Sequence, residues 1–314
     1  MSGKMKNIAV IFPGQGSQYV GMAQDLYNAY PRVKELYSRA GEILKYDLGK
    51  ICFEGPQDTL VQTMYTQPAI FVHSIALWSL ICEDKKLEPD FLAGHSLGEY
   101  SALTAAGVFS FEDGVFAVKQ RSSLMQQACD KTKGTMAAII GLSRDEVENI
   151  CREVSSKGIV QAANFNSEEQ IAISGEVSAV ESALELAKQR NAKRAMVLQV
   201  GGAFHSPLMN SAKEGMIEIL NGIKINPARI PVVSNVSAKP MNAPDEIKEA
   251  LIQQIVKPVL WYDSMKYIYQ RGTKSFLEIG PGKVLQGLIK RSFKGAQNFG
   301  VDKSSDLDKF LELA

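Results

Sequence analysis

The chain has 314 residues, with 35 Lys and Arg against 34 Asp and Glu, a formal charge of +1. That balance leaves no global basic field for nucleic acid. A hydrophobic content of 45% is ordinary for a globular protein, here long enough for one large domain with an insertion, or for two domains.

Cys52, Cys82, Cys129 and Cys151 are too widely spaced for a zinc or redox motif and suit a reducing compartment. The opening MSGKMKN has no apolar signal core, and no stretch is long enough to span a bilayer, so a cytoplasmic enzyme is expected.

Asn7 to Phe12 (NIAVIF) reads as a strand that breaks at Pro13-Gly14-Gln15-Gly16, after which Ser17 can cap a helix through Tyr27. Strand, glycine turn and helix make a typical first unit of a doubly wound sheet. The turn is not a nucleotide loop: Gln18 and Tyr19 stand where a third glycine would be needed, and no Gly-Lys-Ser/Thr follows. A helix is expected over Gln67 to Glu83, mostly apolar, with His73 read as a satisfied core histidine ahead of a catalytic one.

Phe91-Leu92-Ala93 reads as a short buried strand leading into Gly94-His95-Ser96-Leu97-Gly98. Glycines two residues before and two after a serine suit a nucleophile elbow, where a Cβ at either position would clash. The alternative is a serine capping a helix in a glycine-rich turn. A helix over Leu97 to Ala106, stopped at Gly107, would put Ser96 at its positive end. At a sharp elbow consecutive side chains diverge, so His95 is expected to pack or hydrogen-bond and not to act as base for Ser96. On the next helix, Glu112 to Asp130, Arg121 falls on the apolar stripe of Val115, Val118, Met125 and Ala128. An inward guanidinium needs a partner, either an internal Asp or Glu or a substrate carboxylate.

From Gly134 to Val200 the rhythm changes. Strands over Thr135–Ile140, Ile159–Asn164, Gln170–Ser174 and Arg194–Val200 alternate with helices over Ser143–Val154 and Val177–Arg190, the former opened by a capping box at Ser143 and Glu146. This β-α-β-β-α-β order is the split unit of a ferredoxin-like subdomain, expected over 132–200 as an insertion into a large α/β domain of 1–131 and 201–314. The α/β pattern resumes with strands at Pro231–Ser234 and Ser275–Ile279. Between them and the insertion lies His205, in GGAFHSPLM, where Ser206-Pro207 can open a helix whose positive end would keep the imidazole neutral. It is the best candidate base for Ser96, against a solvent-facing loop histidine. A Ser and His pair fits a hydrolase or an acyltransferase. No acidic residue between Ser96 and His205 has a telling context, and more than a hundred residues follow His205, which disfavours the hydrolase order.

Five stretches together resemble the malonyl-CoA:acyl carrier protein transacylases: Phe12-Pro13-Gly14-Gln15-Gly16-Ser17-Gln18, Gly94-His95-Ser96-Leu97-Gly98-Glu99, Gln120-Arg121, Gly202 to Met209, and Leu277-Glu278-Ile279-Gly280-Pro281-Gly282. The resemblance runs from about Asn7 to near the C-terminus, with the insertion in the family's place. It implies Ser96 as acyl-enzyme serine, His205 as base, Arg121 as ligand of the malonyl carboxylate, and the N–H groups of Gln15 and Leu97 as oxyanion hole. It also implies the main-chain carbonyl of Gln254 behind His205, on a looser match, and Phe204 as a restriction on α-methyl extender units. No bound cofactor is implied; coenzyme A enters as the thioester substrate.

The implied partner is a small acidic carrier protein. Its expected docking face is the helix Lys283 to Lys294, where Lys283, Lys290, Arg291 and Lys294 face no acidic residue. A monomer is expected, with no nucleic acid and no membrane involved. A trans-acting polyketide acyltransferase would share every motif, and a serine thioesterase would share Ser96.

Overall fold

The computed structural model of the chain describes residues 7–83 and 87–313; residues 1–6, most of the MSGKMKN stretch, lie outside them. The apolar run Ile8–Phe12 (β1) is buried along its whole length, as a central parallel strand covered on both faces must be. The helix expected from Ser17 does not follow directly. Gly16, Gly21 and Ala23 have positive φ, and Ser17 Oγ donates to Gly14 O at 2.7 Å, so its hydroxyl closes its own turn. The helix begins only at Gln24 (α1, Gln24–Ala29), followed by α2 (Pro31–Leu44), α3 (Leu48–Glu54), α4 (Gln57–Leu60) and the long apolar α5 (Thr63–Glu83).

The chain returns through Phe91–Gly94 (β2), parallel to β1 with Ala93 opposite Ile11, then through α6 (Gly98–Ala105) and α7 (Phe111–Lys131). Ser110 caps α7 by accepting from Asp113 N–H at 3.0 Å. Next come β3 (Gly134–Ile140), α8 (Arg144–Glu153), β4 (Val160–Phe165), β5 (Gln170–Glu176), α9 (Val177–Gln189) and β6 (Arg194–Val197). These four strands form a separate antiparallel sheet, β4-β5-β3-β6, over its own core of Ile139, Val147, Ile150, Ile173 and Val180. Ser143 and Glu146 form the expected capping box. The last strand ends before Val200: Leu198 N–H still reaches Met136 O, but Val200 N–H turns back onto Leu198 O and leaves the ladder.

After a single 3₁₀ turn, Pro207–Met209, the remaining elements are α10 (Asn210–Gly222), β7 (Val232–Val233), β8 (Pro240–Met241), α11 (Pro244–Gln254), α12 (Trp261–Gln270), β9 (Ser275–Ile279), α13 (Val284–Ser292), β10 (Gln297–Val301) and α14 (Ser304–Leu313). The main sheet runs β10-β9-β1-β2-β7-β8, parallel except for the β7–β8 pair, which completes an α/β fold with an added antiparallel layer.

The loops after β1, β2 and β9 leave the same carboxyl edge, where open α/β sheets bind ligands. One device fixes α13 there. The carboxylate of Glu278, buried at the end of β9, accepts from Leu285 N–H at 3.1 Å and Gln286 N–H at 3.0 Å, anchoring the helix by its first turn.

Candidate active site

The elbow is built as its glycines require. A Cβ on Gly94 would overlap the main chain of Gly98, and one on Gly98 would overlap Phe12 O, so strand, turn and helix can approach this closely only without side chains. Ser96 itself sits at φ 51°, a conformation that costs a non-glycine residue of order 1–3 kcal/mol. Hydrogen bonds hold it there: Ser96 N–H donates to Asn235 Oδ1 at 2.8 Å, and Asn235 Nδ2 donates to Gly94 O at 2.7 Å.

His205 Nε2 lies 2.7 Å from Ser96 Oγ, and its Nδ1 lies 2.7 Å from the main-chain oxygen of Gln254. A carbonyl can only accept, so Nδ1 carries the proton and Nε2 turns its lone pair to the serine hydroxyl. Burial, then the charge of Arg121, push the His205 pKa down to about 3. Burial and the neighbouring guanidinium thus favour the neutral ring, and the helix expected after Ser206 opens as a single 3₁₀ turn before α10. Gln161 on β4 donates to His205 O at 2.7 Å and fixes the backbone from behind.

Arg121 is 1% exposed and makes no ion pair among the described residues. Nη1 donates to Gln67 Oε1 at 2.5 Å; Nη2 donates to Gln254 Oε1 at 2.9 Å and to Ser96 Oγ at 3.1 Å. Its Nε–H has no partner. The cation is thus held by two neutral amides and the serine hydroxyl, with one buried donor left without a partner.

These groups face one cavity of about 210 Å³, lined also by Gln15, Leu97, Phe204 and, from α13, Leu285 and Leu288. Among the described residues neither Gln15 N–H nor Leu97 N–H has a hydrogen-bond acceptor. Lys283, Lys290, Arg291 and Lys294 are exposed along or beside α13, so the basic helix shares its inner face with the cavity wall. Among the described residues none of the four forms an ion pair.

Of the other histidines, His95 lines the same cavity without touching the Ser96 hydroxyl, and His73 lies away from it. His95 bonds Asn166 Oδ1 through Nε2 at 2.8 Å and packs 5.5 Å from the Trp261 ring; His73, wholly buried, bonds Asp302 O at 2.9 Å.

Sequence reasoning does not reach Gln67, Asn235, Glu99 or the side chain of Gln254. Glu99 stands in the elbow motif and Gln254 in the looser family match, while Gln67 and Asn235 are single polar residues whose burial no local pattern announces. No group of three or more His, Cys, Asp or Glu among the described residues is placed to hold a metal ion.

The acyl transferase domain family matches residues 10–304. A malonyl CoA-acyl carrier protein transacylase of Bacillus subtilis is 45% identical over 309 residues, covering 98% of this chain and 97% of the relative. The chain belongs to the malonyl-CoA:acyl carrier protein transacylase family. A Haemophilus influenzae transacylase is 42% identical over 98% of this chain and 99% of its own. The solved transacylase of Coxiella burnetii superposes with a TM-score of 0.94 at 38% identity, covering 98% of this chain and 97% of that one. A malonyl-transacylase solved in complex with a type II polyketide acyl carrier protein gives 0.95 at 40%, covering 98% and 99%.

Proposed function

We propose that this transacylase moves a malonyl group from malonyl-CoA to the phosphopantetheine thiol of an acyl carrier protein, through a malonyl ester on Ser96, to supply fatty acid synthesis. The observation that carries this is the buried Arg121, unpaired with any carboxylate and 3.1 Å from the serine hydroxyl. In the first half-reaction Ser96 Oγ attacks the thioester carbonyl as its proton passes to His205 Nε2. The tetrahedral oxyanion accepts from Gln15 N–H and Leu97 N–H. Collapse breaks the C–S bond, and coenzyme A leaves with the proton from His205. The carrier thiol then gives its proton to His205 and attacks the ester; Ser96 Oγ departs and takes the proton back. The kinetics are ping-pong.

The Gln254 carbonyl orients the imidazole while stabilising imidazolium less than a carboxylate would, which suits two thioester exchanges of similar energy. Phe204 leaves little room for an α-methyl branch. Residues 132–200 act as one inserted unit forming a wall of the cavity. The acidic carrier docks against Lys283, Lys290, Arg291 and Lys294. The protein is read as a cytoplasmic monomer without a bound cofactor; no helix among the described residues is long and apolar enough to cross a membrane.

Intact-mass analysis tests the assignment. Malonyl-CoA should add one malonyl mass to the peptide bearing Ser96, and an adduct that survives Ser96→Ala refutes it. The polyketide complex among the solved relatives supports a second reading, a polyketide carrier as acceptor. Comparing fatty acid and polyketide carriers as acceptors separates the two, and acid released without any thiol acceptor would indicate a thioesterase.

A further inference from the structure

Glu99 ends the GHSLGE stretch, is completely buried, and takes no part in the steps above. Each of its oxygens faces a donor: Oε1 accepts from Asn235 N–H at 2.9 Å, and Oε2 accepts from Gln254 Nε2. The orientation of the Gln254 amide is forced. Arg121 Nη2 can only donate, so Gln254 Oε1 must face it, which turns Nε2 toward Glu99 and toward Ser96 O, 2.9 Å away. Only a group that accepts at both oxygens completes this chain; a glutamine at position 99 would set donor against donor. Burial raises the Glu99 pKa to about 7, while the Asn235 and Gln254 donors and the Arg121 charge pull it down, so the charged form is the one these partners favour.

The electrostatics ask for the same group. A buried guanidinium without compensating charge is costly. A carboxylate in direct contact with Arg121 would occupy the donors a substrate needs.

We infer that Glu99 is a positioning residue for carboxylate recognition. Acting through the Gln254 amide, it supplies the counter-charge of Arg121 at one remove and holds the guanidinium toward the cavity with donors unspent. Because Gln254 also gives its main-chain carbonyl to His205 and a side-chain bond to Ser96 O, one residue couples recognition of the carboxylate to the nucleophile and its base. The inference rests on the reading of Arg121 as the malonyl ligand.

The test is the ratio of single-turnover acylation rates with malonyl-CoA and acetyl-CoA, measured on one preparation so that the folded fraction cancels. In Glu99→Gln the ratio should fall about tenfold or more, the size of one charge-assisted hydrogen bond, whatever loss the two thioesters share. Gln254→Leu, which keeps the carbonyl behind His205, should lower the ratio similarly. The double variant should fall no further than the worse single one, because both act on the same link. A ratio unchanged in Glu99→Gln, or two effects that multiply, overturns the inference. Should Glu99→Gln give no folded protein, Gln254→Leu decides alone, and an unchanged ratio there overturns it. If wild-type Ser96 takes no malonyl group, the parent reading has failed; if it does and the ratio ignores both substitutions, only the role of Glu99 has.

Discussion

Replacing Arg121 by alanine separates recognition from chemistry. Three of the five N–H groups of the guanidinium are engaged with Gln67, Gln254 and Ser96, which leaves the Nε–H and one Nη1–H without a partner. A hydrogen bond to a charged group contributes about 1.5–3 kcal/mol, so losing the contact to the malonyl carboxylate costs roughly ten- to a hundredfold or more. Acetyl-CoA has no carboxylate to lose. It meets a Ser96 Oγ relieved of the Nη2 contact and a His205 relieved of the second cause of its depressed pKa, and should hold its rate or gain.

Arg121→Ala should therefore cut malonyl transfer at least ten- to a hundredfold while the malonyl-to-acetyl ratio falls further. Stability should drop as well, because the carbonyls of Gln67 and Gln254 lose a buried donor at about 1–3 kcal/mol each where water cannot replace it. Quenched-flow acylation read by intact mass measures both rates, and thermal unfolding measures the remainder. Equal losses for the two thioesters would refute the reasoning and make Arg121 a structural residue.

His205→Ala should lower acylation by about 10²–10⁴ with the fold intact, whereas His73→Ala should act on stability; the reverse outcome would move the base to His73. With the His205 pKa pushed down to about 3, the ring should stay neutral as pH falls through the ordinary histidine value of 6.5; in Glu99→Gln, which removes a carboxyl raised to about 7 from the same network, acetylation of Ser96 should show no loss between pH 8 and 5, and a loss centred near 6.5 there would show that His205 titrates normally. Gly98→Ala places a Cβ on Phe12 O and should lower the unfolding midpoint and acylation together, by the roughly 1–3 kcal/mol of an overpacked core or more; an unchanged midpoint would mean the elbow has slack. Lys290→Glu with Arg291→Glu should slow transfer to the carrier, most at low ionic strength, and leave acylation by malonyl-CoA nearly unchanged; a parallel loss in both half-reactions would exclude this helix as the docking face.

What the sequence made legible was local and periodic. The elbow could be read because its crowding demands two glycines at fixed spacing, and the split β-α-β-β-α-β unit because each element carries its own apolar period. Ser17 misled because a serine directly after a glycine turn looks like a cap, while here it closes the turn onto Gly14 O. The short helices α1, α3 and α4 and the two-residue strands β7 and β8 have too little periodicity to stand out. The supports of the candidate site were hidden for a different reason. Asn235 and Gln67 matter only because folding brings segments far apart in the chain into hydrogen-bond range of Ser96 and Arg121, and the side-chain role of Gln254 depends on where Glu99 is buried.

The segment that carries Gln254 does one thing more. Five residues on, Val259 exchanges main-chain hydrogen bonds with β4, donating to Ala163 O at 2.8 Å and accepting from Phe165 N–H at 2.9 Å. Gln161, on the same strand, spans His205 O and Val256 O. The antiparallel sheet is thus sewn to the ribbon that steadies the histidine and is more than a wall leaning over the cavity. If that sheet rocked outward to widen the mouth for a bulky thioester, these stitches would have to open or drag the imidazole with them. Entrance and alignment are tied through the same bonds, and Gln161→Ala removes the two that its side chain makes to His205 O and Val256 O.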